Sequence, residues 1–99
     1  LMSGLPVDAD QAMEFGLVNR VVPAAELTAQ VLERARVIAS KAPLSVKALK
    51  AVVRGGAALP LAQAMELELS EYNRLFRTAD RREGVAAFNQ KRSAVFKGE

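Results

Sequence analysis

Residues 60–76, PLAQAMELELSEYNRLF, decide how the rest of the chain is read. Within them Leu61, Met65, Leu69, Tyr72 and Phe76 follow steps of four, four, three and four, the spacing of one helical face, and this predicts a helix with a buried apolar stripe. Pro60 suits its start, because a fixed φ and a missing N–H cost nothing in a first turn. Glu66, Glu68 and Glu71 form the one local carboxylate cluster. Paired carboxylates divide acid and base roles only where their surroundings separate their pKa values. On this helix they lie mostly beside or opposite the stripe, so the spacing predicts solvated side chains instead.

Working outward, the same logic gives helix after helix. Pro43 opens a helix through Val46, Leu49 and Val53 to Gly55-Gly56, a glycine pair that reads as a stop. Before it, Leu27, Val31, Ala35 and Ile38 recur at helical spacing between about Glu26 and Ser40. Near the front, Asp8 and Gln11 form a capping box, and Gly16 supplies a left-handed stop. Residues 17–22, LVNRVV, are rich in β-branched side chains and end at Pro23, so they read as an extended connector or a short strand. Downstream, Asp80 and Glu83 read as a second capping box ahead of a last helix with Val85 and Phe88 that ends near Lys91-Arg92. The tail 93–99 carries no assignment. The expectation is a mainly α chain, one helical segment over residues 1–99, with one short extended piece near 17–22.

Composition then limits the chemistry. The 99 residues suffice for a single modest core, and 51% hydrophobic with 25% charged residues is ordinary globular composition. There is no His, no Cys and no Trp. A Ser/His/Asp triad therefore lacks its base, a Cys nucleophile is impossible, and zinc sites of thiolate or imidazole have no ligands. None of Ser3, Ser40, Ser45, Ser70 and Ser93 lies in a nucleophile elbow, and no glycine-rich phosphate loop occurs. No apolar run is long enough to span a bilayer and nothing at the start resembles a signal peptide, so the expected location is the cytoplasm. The start at Leu1-Met2, with no polar lead-in, reads as a cut through a longer protein.

The net charge of +3 hides a gradient. Residues 1–33 carry five acids and one base, residues 34–66 one acid and six bases, and residues 67–99 five acids and seven bases. Lys47, Lys50 and Arg54 make one basic patch, and Arg74, Arg77, Arg81, Arg82, Lys91, Arg92 and Lys97 populate the C-terminal part. Such surfaces attract phosphate groups. Five aromatic residues leave little for base stacking and no nucleic-acid-binding motif is present, so a duplex-binding surface is the less favoured alternative. The residues alone give a small helical module, acting as a partner surface or an anion-binding lid, without catalytic or metal-ligating side chains.

The order of segments resembles the carboxy-terminal part of the enoyl-CoA hydratase/isomerase, or crotonase, family. The resemblance rests on LMSG at residues 1–4, Ala9 and Ala12 leading into GLVNRVVP at 16–23, Pro43-Leu44, DRREGVAAF at 80–88, Lys91-Arg92 and Phe96-Lys97-Gly98. It implies a helical trimerisation and lid segment of a crotonase-like fold. It further implies a parent enzyme that binds an acyl-CoA substrate, needs no cofactor, and stabilises a thioester enolate in an oxyanion hole of two backbone N–H groups. Those groups and the hydratases' two glutamates belong to the family's larger amino-terminal domain, so no catalytic residue is carried over to this chain. Two ligand contacts are: Lys91, and Tyr72, match positions that in the family help hold the coenzyme's adenosine end, often across a subunit boundary. Lysine suits a phosphate as a flexible point charge and an aromatic face suits adenine, although Tyr72 also belongs to the helical stripe. The resemblance also implies homotrimers or dimers of trimers, a parent role in fatty acid metabolism, and no membrane or nucleic-acid partner. A helical oligomerisation module without a ligand is the alternative from a different class.

Overall fold

The computed structural model describes residues 4–99. Its elements are α1 (Ala9–Glu14), a 3₁₀ turn (Ala24–Glu26), α2 (Leu27–Ala39), α3 (Pro43–Gly56), α4 (Leu61–Phe76) and α5 (Ala79–Asn89). The mainly helical architecture is as expected. Residues 1–3 of the LMSG stretch lie outside the described residues. Segment 17–22 is a connector, with neither helix nor β-ladder among its residues. The chain divides into two compact units, Leu1–Glu33 and Arg34–Glu99, with the division falling inside α2.

In the first unit, local chemistry makes the structure. Asp8 Oδ1 accepts from the Gln11 N–H at 2.8 Å and Gln11 Oε1 accepts from the Asp8 N–H at 3.2 Å, so the predicted capping box is present on α1. The far end closes as predicted on Gly16, at φ +71°. There the Gly16 N–H donates to Met13 O at 3.1 Å and the Leu17 N–H to Ala12 O at 2.9 Å, the paired bonds of a Schellman stop. Only four residues separate α3 from α4, which suits a helical hairpin.

In the second unit, α3 and α4 are that hairpin and pack on each other. The residues they cover differ from those the periodicity selected. On α3 the covered positions include Leu44, Ala48, Val52 and Gly56, in steps of four; on α4 they are Ala64, Leu67, Glu71 and Leu75. Leu61, Met65, Leu69, Tyr72 and Phe76 are all exposed. The helix is correct and its inner face is not: two faces of α4 carry apolar residues, and spacing cannot tell the face filled by α3 from the one left open. Leu27, Val31 and Ile38 on α2, Leu49 and Val53 on α3, and Val85 and Phe88 on α5 are exposed as well. Among the described residues the buried apolar side chains are Ala48 and Ala87 alone, so the modest core expected from chain length is not closed.

Gly55 and Gly56 are also corrected. Both lie inside α3 at ordinary negative φ, and the helix runs through them to Gly56. At Gly55 the use is close approach, since a Cβ there would sit 3.2 Å from Leu67 Cδ2, whereas one on Gly56 would make ordinary contact, 3.5 Å from Ala64 Cβ.

The third correction concerns α5. Its cap is Thr78, whose Oγ1 accepts from the Arg81 N–H at 3.2 Å while the hydroxyl donates to Leu75 O at 2.8 Å. Thr78 holds the extended backbone that a cap requires, two residues before Asp80, which leaves Asp80 and Glu83 inside the helix and free for other partners.

Candidate functional site

Those partners are in the tail. Asp80 is 4% exposed, and its Oδ1 and Oδ2 accept from the backbone N–H groups of Lys97 at 2.7 Å and Gly98 at 2.8 Å. Its own N–H donates to Glu99 O at 3.0 Å. One turn along α5, Glu83 receives both ends of the Arg92 guanidinium, at 2.5 and 2.8 Å, and the Val95 N–H at 2.9 Å. Phe96 lies against Gly84 between the two anchors. The Arg92 guanidinium first, and the Val95 amide second, hold the Glu83 carboxyl down at about 2 from its ordinary 4.5; Glu83 in turn raises Arg92. Residues 93–99, without assignment from sequence, are thus a tail bonded to one face of α5.

Between helix and tail stands Lys91. It has φ +53°, the single positive φ of a residue other than glycine among the described residues. The Lys91 N–H donates to Phe88 O at 3.2 Å and the Arg92 N–H to Ala87 O at 3.0 Å. These are the bonds that close α1, with lysine where α1 has glycine. A left-handed conformation costs an L-residue about 1–2 kcal/mol relative to the right-handed one. The ammonium-bearing side chain is exposed. One turn back, Phe88 is 83% exposed, so the end of α5 presents an aromatic ring and a cation to solvent. The sequence reading placed Phe88 on the last helix without a role; its step of three from Lys91 was the available signal for a shared surface.

Tyr72 stands elsewhere. It is 59% exposed on the open stripe of α4, its ring centroid 6.2 Å from that of Phe76. The Arg81 guanidinium lies 3.9 Å over the Phe76 ring, a cation–π contact. Tyr72, Phe76, Arg81, Ser45 and Phe96 line an open groove of about 370 Å³ whose α5 residues are Asp80, Arg81 and Gly84. Lys91 is not among its lining residues and follows the other end of α5, a helix of about 16 Å. The two sequence-predicted ligand residues do not line this groove together.

Two of the three α4 carboxylates are solvated as expected, and Glu71 on the covered face is the exception. Glu71, half-buried, pairs with Arg74 at 2.6 Å, while Glu66 and Glu68 are exposed. The basic patch of α3 is also where the spacing put it: Lys47, Lys50 and Arg54, joined by Lys41, border a trough of about 570 Å³ floored by Ile38, Pro43, Val46 and Ala51. No described helix is long and apolar enough to cross a membrane.

Comparison with known proteins places this arrangement. The family model for enoyl-CoA hydratase/isomerase matches residues 1–99. Carnitinyl-CoA dehydratase of Proteus mirabilis is 39% identical over 102 residues, covering 99% of this chain and 39% of the relative. Crotonyl-CoA hydratase of Syntrophomonas wolfei is 39% identical over 90 residues, covering 91% of this chain and 35% of the relative. The crystal structure of enoyl-CoA hydratase from Bacillus anthracis superposes with a TM-score of 0.90 at 37% identity, over 92% of this chain and 35% of that one. The chain therefore spans little more than a third of the length of these relatives. With one family matched from end to end, and a solved hydratase sharing the helical arrangement, the chain belongs to the enoyl-CoA hydratase/isomerase family.

Proposed function

We propose that this chain is the carboxy-terminal, coenzyme-A-covering and subunit-contacting part of an enzyme that hydrates or isomerises enoyl-CoA thioesters. The observation that carries the ligand half is the exposed end of α5, where Phe88 offers a ring and Lys91 a cation one turn apart. Together they suit a nucleotide: the ammonium takes a phosphate and the aromatic face packs on adenine. Tyr72 lines a groove without Lys91, so its share in one nucleotide site would require a boundary between copies. The chain itself supplies binding rather than bond-making. Its carboxylates on α4 are solvated or ion-paired, and Asp80 and Glu83 are committed to the tail.

This reading is tested by turnover. The 99-residue chain alone should give no hydration of crotonyl-CoA above a buffer blank, while a full-length family enzyme carrying the segment should hydrate it. Turnover by the isolated chain would overturn the division of labour.

A second reading, oligomerisation without any ligand, is favoured by the open stripe on α4 from Leu61 to Phe76. Contiguous apolar surface of this kind marks an interface. The two readings separate on whether coenzyme A esters bind more weakly once Lys91 is removed.

A further inference from the structure

We infer that Glu83 is a positioning residue for Lys91: by clamping Arg92 and the tail it holds the turn at residue 91 in the left-handed conformation that presents the lysine. The inference rests on the phosphate role proposed for Lys91. Several independent contacts converge on the turn. Glu83 takes Arg92 in a two-pronged bond and also the Val95 N–H, so the chain is fixed on the tail side of Lys91. Arg92 Nε donates to Gln90 Oε1 at 2.8 Å, so the residues on either side of Lys91 are bonded to each other across it. Arg92 Nη1 donates to Ser93 O at 3.1 Å, and the Arg92 N–H closes the helix on Ala87 O. A strained backbone persists only where its surroundings over-determine it.

The contrast with α1 shows what the clamp is for. The same pair of stop bonds forms there with Gly16, which has no side chain to present. At α5 a glycine would relieve the strain but remove the cation. Lysine at this position keeps the cation, and the Glu83–Arg92 pair offsets the conformational cost. A lysine held at one backbone conformation loses less freedom when a phosphate arrives, which is how preorganisation raises affinity.

The test is a double-mutant cycle in a full-length family enzyme carrying this segment, read with a coenzyme A ester and with a truncated pantetheine ester. Glu83→Ala should raise KM for the coenzyme A ester about 3- to 10-fold, the lower part of the range for residues in one network, with a smaller change in kcat and none for the pantetheine ester. In a Lys91→Ala background, Glu83→Ala should add nothing. An equal loss in both backgrounds, or for both esters, would reduce Glu83 to a structural brace and overturn the inference. Where Glu83→Ala fails to fold, Glu83→Gln keeps the shape without the charge, and its smaller loss should vanish in the same background; a loss that persists there overturns the inference too. Hydrogen exchange at the Arg92 amide reads the clamp without ligand. It should quicken in Glu83→Gln, and unchanged protection would refute the clamp whatever Lys91 binds. Should Lys91→Ala weaken both esters equally, the phosphate role falls and the inference with it, and a quickened Arg92 amide would distinguish that failure from a failed clamp.

Discussion

Two carboxylates one turn apart on α5, Asp80 and Glu83, hold the C-terminal tail. Asp80 is the more deeply set, and Asp80→Ala would strip the acceptors from two backbone N–H groups, at a cost of about 1–3 kcal/mol for each donor left unsatisfied. Amide exchange at Lys97 and Gly98 should then rise towards unfolded rates, and protection equal to the parent's would refute the anchor. Glu83 makes a statement about pH. Its carboxyl is held at about 2 in the folded chain, below the ordinary 4.5, so its contribution to stability is complete above about 4.5. It declines as pH falls from there and is lost on passing through about 2. A carbon-detected NMR titration of the Glu83 carboxyl should place its midpoint near 2, and a midpoint near 4.5 would remove the Arg92 clamp. None of this was legible at residues 80–83, because acids spaced by three have the same signature in a capping box and in a tail anchor. The distinction depends on where residues 92–98 run, and that is settled by contacts distant in sequence.

The helices themselves were legible. Prolines at 43 and 60, the Asp8 box and Gly16 mark local events, and local events are written in local sequence. Which face each helix fills is not local. Ala64 and Leu67 meet α3 while the bulkier stripe of Leu61, Met65 and Leu69 stays open, so ranking faces by bulk selects the wrong one. Gly55-Gly56 illustrates the same point, since a glycine that ends a helix and one that admits a neighbour look alike in sequence. The difference is testable. A Cβ on Gly56 would make ordinary contact with Ala64, and Gly56 has no positive φ, so Gly56→Ala should stabilise the hairpin by about 0.4–1 kcal/mol in denaturant unfolding. Gly55→Ala should gain less, because Leu67 Cδ2 must give way at 3.2 Å. Destabilisation by Gly56→Ala beyond about 1 kcal/mol would mean that the two helices approach more closely than described.

Among its described residues the chain has the helices of a folded domain with few buried apolar side chains. Ala48 and Ala87, the buried apolar residues, are small, and the large apolar side chains of α2, α3, α4 and α5 lie mostly at the surface. The compared members of the family are about two and a half times as long, and under the proposed function those faces serve as contact surfaces. Light scattering coupled to gel filtration should find the isolated 99 residues associating, and a compact, non-associating monomer would argue against the subunit-contacting role. Fold class and family membership were readable because they rest on the order of helices and motifs. Tyr72 and Lys91 were named from sequence, but only the fold shows that Tyr72 lines a groove with the first turns of α5 while Lys91 follows its far end.

In the function proposed above, the end of α5 holds the phosphate-bearing part of coenzyme A. The most direct measurement is binding of a coenzyme A ester and of its truncated pantetheine counterpart to Lys91→Ala in a full-length family enzyme carrying this segment. The coenzyme A ester should bind more weakly by about 1.5–3 kcal/mol, the range for a charged hydrogen bond, while the pantetheine ester binds as before. Equal losses for the two esters, or no loss for either, would contradict it.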